Sequence, residues 1–314
     1  MKLATLRDGS RDGQLIVVSK DLGQAHFATH IAPSLQRVLD DWNFMAPQLQ
    51  DLYDALNQGK AAQAFPFDPR QCLSPLPRAY QWVESLAYGP ARASARWRPI
   101  TSADTAKRQP WLMAGNGDHF LGPTERIPAP ASADELDFAP GIAVLTGDVH
   151  QGASVEAAAD SIRLILLSNS LTLRSRGAQE REQAAGRILS RPFTAFSPVA
   201  VTRDELPDDW TQSMLHGSLS IAVNGQAHAP RYTAKNLDFN FAELIAYLCS
   251  TRPCRAGTLL GSGPVCNEDA DAELGALADG DTLSIGYLDQ AGKTVFGTIE
   301  QTVQCLEAPA SLNR

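Results

Sequence analysis

The most informative part of the chain is the central stretch Asp137-Phe138-Ala139-Pro140-Gly141-Ile142-Ala143-Val144-Leu145-Thr146-Gly147-Asp148. Its apolar run, residues 142–146, has the length of a buried strand, and Gly147-Asp148 is a turn signal that closes it. Residues 154–168 have the pattern of a helix that leads into a second apolar run at 164–167. The centre of the chain is therefore predicted to contain a strand, a helix and a second strand.

Strand and helix signals flank this centre on both sides. Residues 2–18 alternate short apolar runs with the hairpin dipeptides Asp8-Gly9 and Asp12-Gly13. Over residues 33–57, apolar side chains recur every three or four positions, which predicts one or two amphipathic helices interrupted at Pro47. A further helix is expected at 241–248, and further strands at 196–202, 219–223, 258–261, 281–287 and 294–303.

The order of these elements predicts the fold class. Strands dominate and long helices are few, so the chain is expected to be α+β rather than a regular βαβ alternation. The proline-rich segment at residues 65–77 must be extended, and it marks a boundary near residue 75. We therefore predict a small N-terminal α/β domain at residues 1–75 and a larger, β-rich domain at residues 76–314.

Composition places the chain among ordered globular proteins. It has 314 residues, 44% of them hydrophobic, and 27 Lys plus Arg against 35 Asp plus Glu, which gives a net charge of −8. This acidity argues against a nucleic-acid or anionic-membrane binder, because such proteins need a basic face. No apolar run is long enough to cross a membrane, and the first residues lack a secretory signal. With five cysteines and no Cys-x-x-Cys pair, we expect a cytoplasmic protein with reduced thiols.

Two segments are basic despite the acidic total. Gly89–Trp111 holds five cations and one acid, and Arg174–Arg191 holds five arginines and two glutamates. These segments either form solvated helix faces or line a site for a planar anion such as a carboxylate, which a guanidinium binds with two parallel hydrogen bonds.

The chain contains no generic catalytic motif, but it contains a set of short sequence segments in a characteristic order, which we call phrases. A P-loop, a nucleophile elbow, a zincin helix and a dinucleotide glycine pattern are all absent from the sequence. The phrases are Leu73-Ser74-Pro75-Leu76-Pro77-Arg78-Ala79-Tyr80-Gln81-Trp82, Phe120-Leu121-Gly122-Pro123, Thr146-Gly147-Asp148-Val149, Ala195-Phe196-Ser197-Pro198-Val199-Ala200-Val201-Thr202, Gly257-Thr258-Leu259-Leu260-Gly261-Ser262-Gly263 and Phe296-Gly297-Thr298-Ile299-Glu300-Gln301. Together they resemble the fumarylacetoacetate hydrolase family, in its bacterial branch with a short N-terminal domain, over the chain from Met1 to Val303.

This resemblance implies a fold, an assembly and a chemistry. The family's fold is a mixed β-roll that forms homodimers, with the active site in the C-terminal domain. Its members cleave carbon–carbon bonds of β-diketo acids, or decarboxylate and tautomerise related 2-oxo acids, usually with Mg²⁺ bound by acidic residues. The cation is chelated by the carboxylate and keto oxygens of the substrate and stabilises the enolate that forms as the bond breaks.

The sequence departs from the family pattern at the positions of the metal ligands. Where the family has Asp-Phe-Glu-x-Glu, this chain has Ala139 and Gly141 in place of the two glutamates. Ser170 replaces the aspartate of the family's Asn-Asp pair, and the segment after Tyr88 offers neither the remaining acidic ligand nor the family's histidine. Neutral oxygens cannot hold Mg²⁺ against water, so the metal site is predicted to be lost and no cofactor is expected.

The residues that remain suggest an anion site that works without a metal. The resemblance assigns Arg174 to a family arginine and Arg191 to a family lysine, and both are candidates to bind a small anionic oxo acid. We expect Arg191→Ala to abolish the binding of such an anion with little effect on the melting temperature. The other substrate-binding candidates are Asn116, Ser170 and Ser262, and the acid–base candidates are His119, with Asp118 or Tyr80 assisting.

Three functions remain open at this point. The first is metal-free chemistry on an oxo acid or β-dicarbonyl compound: carbon–carbon bond cleavage or formation, decarboxylation or tautomerisation. The second is a catalytically inactive binding or dimer-partner protein, which a pocket filled by Pro140, Pro264 or Trp97 would favour. The third is an ordinary metal-dependent hydrolase with unconventional ligands, for which a shifted alignment would supply Glu135 and Asp137.

Overall fold

A computed structural model describes residues 1–93, 109–130, 135–183, 188–266 and 276–306, so that Trp97 and most of the basic segment around it lie outside the described residues. The helices within these ranges are α1 (Leu35–Asp40), α2 (Trp42–Asn57), α3 (Gly89–Ala93), α4 (Val155–Ser161), α5 (Arg174–Glu182) and α6 (Phe241–Leu248). Among them, none combines the length and the apolar composition that crossing a membrane requires. The strands are β1 (Lys2–Leu6), β2 (Gln14–Val18), β3 (Gln24–Phe27), β4 (Phe65–Pro66), β5 (Trp82–Ser85), β6 (Leu112–Gly115), β7 (Ile127–Pro130), β8 (Leu136–Thr146), β9 (Ile162–Leu173), β10 (Thr194–Phe196), β11 (Ala200–Val201), β12 (Trp210–Thr211), β13 (Met214–Leu215), β14 (Ser218–Val223), β15 (Gln226–Ala227), β16 (Arg231–Tyr232), β17 (Leu259–Gly261), β18 (Thr282–Leu288) and β19 (Ile299–Leu306).

These strands form two main sheets and a small hairpin, β12–β13. The large sheet has the order β4-β3-β2-β1-β11-β9-β8-β17-β5-β6, with β10 also paired to β9. The second sheet has the order β15-β14-β18-β19-β7, with β16 paired to β14. Most neighbours are antiparallel, but β5 runs parallel to β17 and β7 runs parallel to β19. This mixed, strand-rich arrangement confirms the α+β fold class.

The N-terminal segment is joined to the rest of the chain by a strand pair. β1 pairs with β11, with Lys2 opposite Val201 and Leu3 opposite Ala200. The hairpin strands predicted at residues 2–18 therefore extend the large sheet. Helices α1 and α2 pack on one face of that sheet, and their apolar side chains are buried there together with Trp82, Phe120 and Phe196.

The central stretch forms the β8–β9 pair in the middle of the large sheet. The two strands are 11 and 12 residues long and antiparallel, and every residue of β8 is buried. β8 is thus longer than the run predicted at 142–146. Its first half lacks a strong apolar pattern, but the pairing with β9 extends to Leu136 and keeps that half in the sheet.

The helical segment differs from the prediction at Pro47. This proline lies inside α2, and the interruption falls instead at Asp41, whose φ of −138° is not helical. Proline removes one backbone hydrogen bond from a helix, but tertiary packing usually contributes more to helix stability than local preference does. Here Met45 and Leu49, on either side of Pro47, are buried against the sheet.

Candidate functional site

One face of the large sheet carries polar side chains around one end of the β8–β9 pair. Residues directly opposite each other on paired strands point to the same side, and side chains alternate along each strand. The register of β8 and β9 therefore places on one face the pairs Asp137–Thr172, Ala139–Ser170 and Gly141–Ser168. Glu84 of β5 lies on the same face. Gly261 of β17 is paired with Ala143 on one side and with Glu84 on the other, and Ala143 points to the same side as Gly141, two residues before it. We call these three pairs, together with Glu84, the polar face.

Arg191 and Glu84 form a buried ion pair on the polar face. The Arg191 guanidinium contacts the Glu84 carboxylate directly, and the two side chains are only 6% and 3% exposed. Nη1 of Arg191 also lies 3.8 Å from Sδ of Met113. Burial lowers the pKa of Arg191 to about 10, so the guanidinium is still protonated at neutral pH. The anion site predicted for Arg191 therefore already contains a carboxylate of the protein itself.

Arg174 also faces carboxylates. Its Nε and Nη2 donate hydrogen bonds to the two oxygens of Asp137 at 2.9 and 3.3 Å, and its Nη1 donates to Glu135 at 3.4 Å. Asp137 is fully buried, whereas the Arg174 side chain is 31% exposed. Glu135 and Asp137, the pair that a shifted alignment would offer to a metal, are thus both engaged by one guanidinium.

Glu180 of α5 fixes the loop that carries Arg191. Its carboxylate accepts hydrogen bonds from the backbone N–H groups of Ile188, Leu189 and Ser190 at 3.0, 2.7 and 3.2 Å, and from the Ser190 hydroxyl. Burial alone would raise the pKa of Glu180, but these hydrogen bonds outweigh it and hold the pKa below its usual value. Arg191 follows Ser190 directly, so the backbone from which its side chain extends is held in place.

Two hydroxyls of the polar face have no hydrogen-bond partner within the part of the chain that the structure describes. They are Ser170 Oγ and Thr172 Oγ1, and both residues are buried. Ser85 Oγ and Asn169 Nδ2 lack partners there as well, but each is adjacent in sequence to a residue of the polar face, so alternation places both on the opposite face of the sheet. Buried polar atoms are normally paired, so the hydroxyls of Ser170 and Thr172 indicate a place on the polar face where water or a ligand supplies the missing partners.

Ser262 and Asn116, which the sequence predicts to bind substrate, contact the backbone. Ser262 Oγ accepts a hydrogen bond from the Ile142 amide at 3.1 Å and donates one to the Gly263 carbonyl at 2.8 Å. These contacts hold the loop after β17 against β8. Asn116 Nδ2 lies 3.5 Å from the carbonyl oxygen of Pro192, the residue after Arg191.

The predicted acid–base residues lie at the surface. The His119 side chain is 54% exposed, with Nε2 at 3.9 Å from the Glu125 carboxylate. Asp118 is exposed, and Tyr80 is 78% exposed. Among the hydrogen bonds and ion pairs of the described residues, none joins His119 or Asp118 to Arg191, and Arg174 binds Asp137 and Glu135.

Glu84 is a carboxylate that the structure brings to the polar face and that the sequence analysis did not identify. It is a single glutamate in the strand Trp82–Ser85 and belongs to no motif. The one available signal was a charged residue inside a segment that is otherwise suited to burial.

Comparisons with known proteins define the family. Residues 1–78 match the family model described as fumarylacetoacetase N-terminal domain 2, and residues 87–304 match the fumarylacetoacetate (FAA) hydrolase C-terminal model. The chain therefore belongs to the fumarylacetoacetate hydrolase family. A search among curated proteins finds no match.

Several solved structures share this fold over nearly the whole chain. Maleylpyruvate hydrolase from Sphingobium sp. SYK-6, in complex with manganese(II) ion and pyruvate, is 18% identical, covers 97% of this chain and 99% of its own, and has a TM-score of 0.68. A probable 2-hydroxyhepta-2,4-diene-1,7-dioate isomerase from Mycobacterium abscessus is 16% identical, with coverages of 98% and 100% and a TM-score of 0.70. Fumarylacetoacetate hydrolase from Exiguobacterium antarcticum is 18% identical, with coverages of 98% and 100% and a TM-score of 0.67.

The polar face offers few ligand atoms to a divalent cation. Ala139 and Gly141 offer no side-chain ligand atom, and Ser170 offers a neutral hydroxyl. A side chain at position 141 would also meet backbone, because its Cβ would lie 2.6 Å from the Gly263 carbonyl oxygen. Within the described ranges, no three His, Cys, Asp or Glu side chains are grouped so that they could hold a metal ion. Hard cations take oxygen ligands that usually include at least one carboxylate, whereas the buried carboxylates here face guanidinium groups.

We expect Glu180→Gln to loosen the loop that carries Arg191. Glutamine keeps the size of the side chain but loses the charge and one acceptor, so the free energy of unfolding at pH 7 should fall by about 1–3 kcal/mol. Because folding lowers the pKa of Glu180, its contribution is present above the unfolded pKa of about 4.3 and is lost as pH falls through the folded value. Urea denaturation should therefore separate the wild-type protein from the variant at pH 7 and bring them together in acid. Equal stability at pH 7 would show that this carboxylate does not hold the loop.

Proposed function

We propose that this protein binds a small oxo acid on the polar face and promotes its enolisation without a divalent metal. The observation that carries the proposal is the buried Arg191–Glu84 pair, which shares this face with the unpartnered hydroxyls of Ser170 and Thr172. The substrate class is supported by two proteins of the same fold, a maleylpyruvate hydrolase solved with pyruvate and a probable hydroxyheptadienedioate isomerase.

The ion pair places a cation and a base side by side. Glu84 can take a proton from the carbon next to the keto group, and the electron pair of that C–H bond moves to the keto oxygen. The resulting enolate oxygen accepts hydrogen bonds from Arg191 and from the Ser170 and Thr172 hydroxyls. Return of the proton to a different carbon completes a tautomerisation, and an enolate is also the product of decarboxylation or carbon–carbon cleavage of a β-dicarbonyl acid.

A non-catalytic binding protein is the second candidate function. It is favoured by the burial of the Arg191–Glu84 pair, because a closed pair of this kind also occurs as a purely structural feature. The two prolines considered as pocket fillers, Pro140 and Pro264, are both buried, and the Val265 amide donates a hydrogen bond to the Pro140 carbonyl.

Deuterium exchange at the methyl group of pyruvate separates the two candidates. In D₂O containing EDTA, the wild-type protein should accelerate the exchange, which proton NMR follows directly. Glu84→Gln retains an oxygen for Arg191 but cannot take up the proton, so the enzyme-dependent exchange should fall by about 100-fold or more. Circular dichroism checks that this variant is folded, and Ser170→Ala should weaken pyruvate binding while retaining measurable exchange.

Calorimetry with pyruvate and oxaloacetate completes this test. Binding of either ligand to the wild-type protein without any exchange would contradict the enzyme and support the non-catalytic binding protein. Neither binding nor exchange with these two ligands would contradict both. Exchange that requires added Mg²⁺ would contradict the metal-free reaction.

We expect chelation to affect neither stability nor exchange. The residues of the polar face do not supply the anionic ligands of a divalent cation, so removing such cations takes no ligand from the folded state. The melting temperature should be the same in EDTA as in excess Mg²⁺ or Mn²⁺. A lower melting temperature in EDTA would show that the folded protein does bind a divalent cation.

A further inference from the structure

A cavity with a volume of about 770 Å³ lies beside β1. It is bordered by Lys2, by the loop after β2, by the end of α2 and by two loops of the C-terminal half of the chain. Lys2 is paired with Val201, and Val201 is paired with Ile165, so these three side chains lie on the same face of the sheet. Ser170 is an odd number of residues after Ile165 on the same strand, so its side chain lies on the other face. This cavity is therefore separate from the polar face, and nothing in the proposed function uses it.

Lys2 presents a buried amine at this cavity. The residue is 2% exposed, and its Nζ donates a hydrogen bond to the Val295 carbonyl at 2.8 Å. Burial lowers the pKa of Lys2 to about 8; Glu205 and Asp21 oppose this shift, and Lys20 adds to it. At neutral pH about a tenth of the Lys2 side chains are therefore the free amine, on the order of two hundred times the fraction of an ordinary lysine.

Glu205, which also borders the cavity, presents a buried carboxylate. Its side chain is 6% exposed, and Oε1 lies 3.2 Å from the N-terminal ammonium group of Met1. Oε2 is buried and makes no hydrogen bond of normal geometry among the described residues. The Tyr53 hydroxyl makes none either, but it lies close to this carboxylate, because burial and Glu205 together raise the pKa of Tyr53. The Glu205 carboxylate therefore keeps hydrogen-bonding capacity that a further polar molecule in the cavity would meet.

The charges of the lining restrict the class of that molecule. Three lysines and five carboxylates border the cavity, so an anion would meet a net negative surface. An organic cation would meet the Lys2 ammonium, and the described residues hold no group of three side chains able to bind a metal ion. A neutral carbonyl compound fits these observations, because an amine recognises it by forming a bond and needs no excess of charge.

We propose that Lys2 forms an imine with a small neutral aldehyde or ketone in this cavity. The free amine attacks the carbonyl carbon, a C–N bond forms, and the C=O π electrons move to oxygen. That oxygen takes up protons and leaves as water while the C=N bond forms. Overall one ammonium and one carbonyl give one iminium and one water, so neither an oxidant nor a reductant is consumed. Glu205 carries the proton from nitrogen to oxygen.

Reductive trapping on the wild-type protein tests this proposal. The protein is incubated at pH 7.5 with increasing acetaldehyde, the imines are reduced with borohydride, and peptide mass spectrometry measures ethylation at each lysine. Lys60 and Lys235 are exposed and serve as internal references. We expect Lys2 to be modified about tenfold faster than either reference, because its larger free-amine fraction outweighs its lower intrinsic nucleophilicity. The Lys2 rate should also saturate with acetaldehyde, as binding in a cavity requires.

The control variants distinguish a binding site in the cavity from a lysine that is only unusually reactive. Lys2→Arg keeps the positive charge and should remove the fast site while leaving Lys60 and Lys235 unchanged. Glu205→Gln should slow only the Lys2 reaction, by about tenfold. Glu84→Gln should label like the wild-type protein, so failure of the proposed function leaves this result intact. Modification of Lys2 no faster than Lys60, a rate that does not saturate, or modification only at the α-amino group of Met1 would overturn the proposal.

Discussion

Replacing Arg191 by methionine is expected to lower the free energy of unfolding by about 3–5 kcal/mol. The substitution leaves the Glu84 carboxylate buried, at 3% exposure, without the guanidinium that it contacts. A buried charge without a partner is among the most costly defects in a folded protein. Urea denaturation at pH 7, followed by circular dichroism, measures the change. The sequence alone led to the expectation that removing Arg191 would hardly alter the melting temperature, because no pattern revealed its partner.

The double variant Glu84→Met/Arg191→Met is the matched control. It removes both charges and roughly conserves the side-chain volume, so its stability should return to within about 1 kcal/mol of the wild-type protein. Glu84→Met alone should be as damaging as Arg191→Met, since it leaves the guanidinium buried. If Arg191→Met were as stable as the wild-type protein, the two side chains could not form a buried pair in solution.

Introducing a glutamate at position 141 is expected to cost at least about 3 kcal/mol and to create no metal site. A Cβ at this position would lie 2.6 Å from the Gly263 carbonyl oxygen and 3.1 Å from Ser168 Oγ. The first of these atoms belongs to the backbone of the loop after β17, which hydrogen bonds through Ser262 hold against β8. The carboxylate would add the cost of a buried charge to this steric conflict.

The smaller variant Gly141→Ala separates these two costs. It retains the backbone conflict without the charge and should destabilise the protein by about 1–3 kcal/mol. Thermal unfolding measures both variants, and calorimetric titration with Mn²⁺ tests the glutamate variant for binding. A Gly141→Glu protein that unfolds at the wild-type temperature and binds Mn²⁺ would show that the Gly263 loop moves aside and that a cation site can be rebuilt.

Local patterns were enough to predict the elements with strong end signals. The helix predicted at 241–248 is found with the same bounds, because Asn240 and Glu243 form a capping box and the apolar residues behind them are buried. Pro47 shows the limit of such signals: packing of α2 against the sheet keeps the helix continuous through the proline. Helix α5 was expected only as one of two interpretations of the basic segment at 174–191, because it follows β9 without a turn signal and has no apolar periodicity.

The part of the polar face that matches the family pattern was predictable, and the part that depends on distant contacts was not. The resemblance marked positions 139, 141 and 170 as altered, and the strand register places all three on one face of the β8–β9 pair. The Glu84–Arg191 contact joins segments far apart in the sequence, and no local pattern connects them. Glu180 was missed for the same reason, since its role depends on a loop that folds back onto its helix.

The pairing of β1 with β11 has a consequence for how such a chain can change over generations. Residues 1–75 and the rest of the protein contribute strands to one hydrogen-bonded sheet, in which Lys2 is paired with Val201. A recombination event near residue 75 would therefore deliver not a self-sufficient module but a piece whose edge must match an inherited partner strand. The two parts of the gene, which match two different family models, should therefore be inherited together.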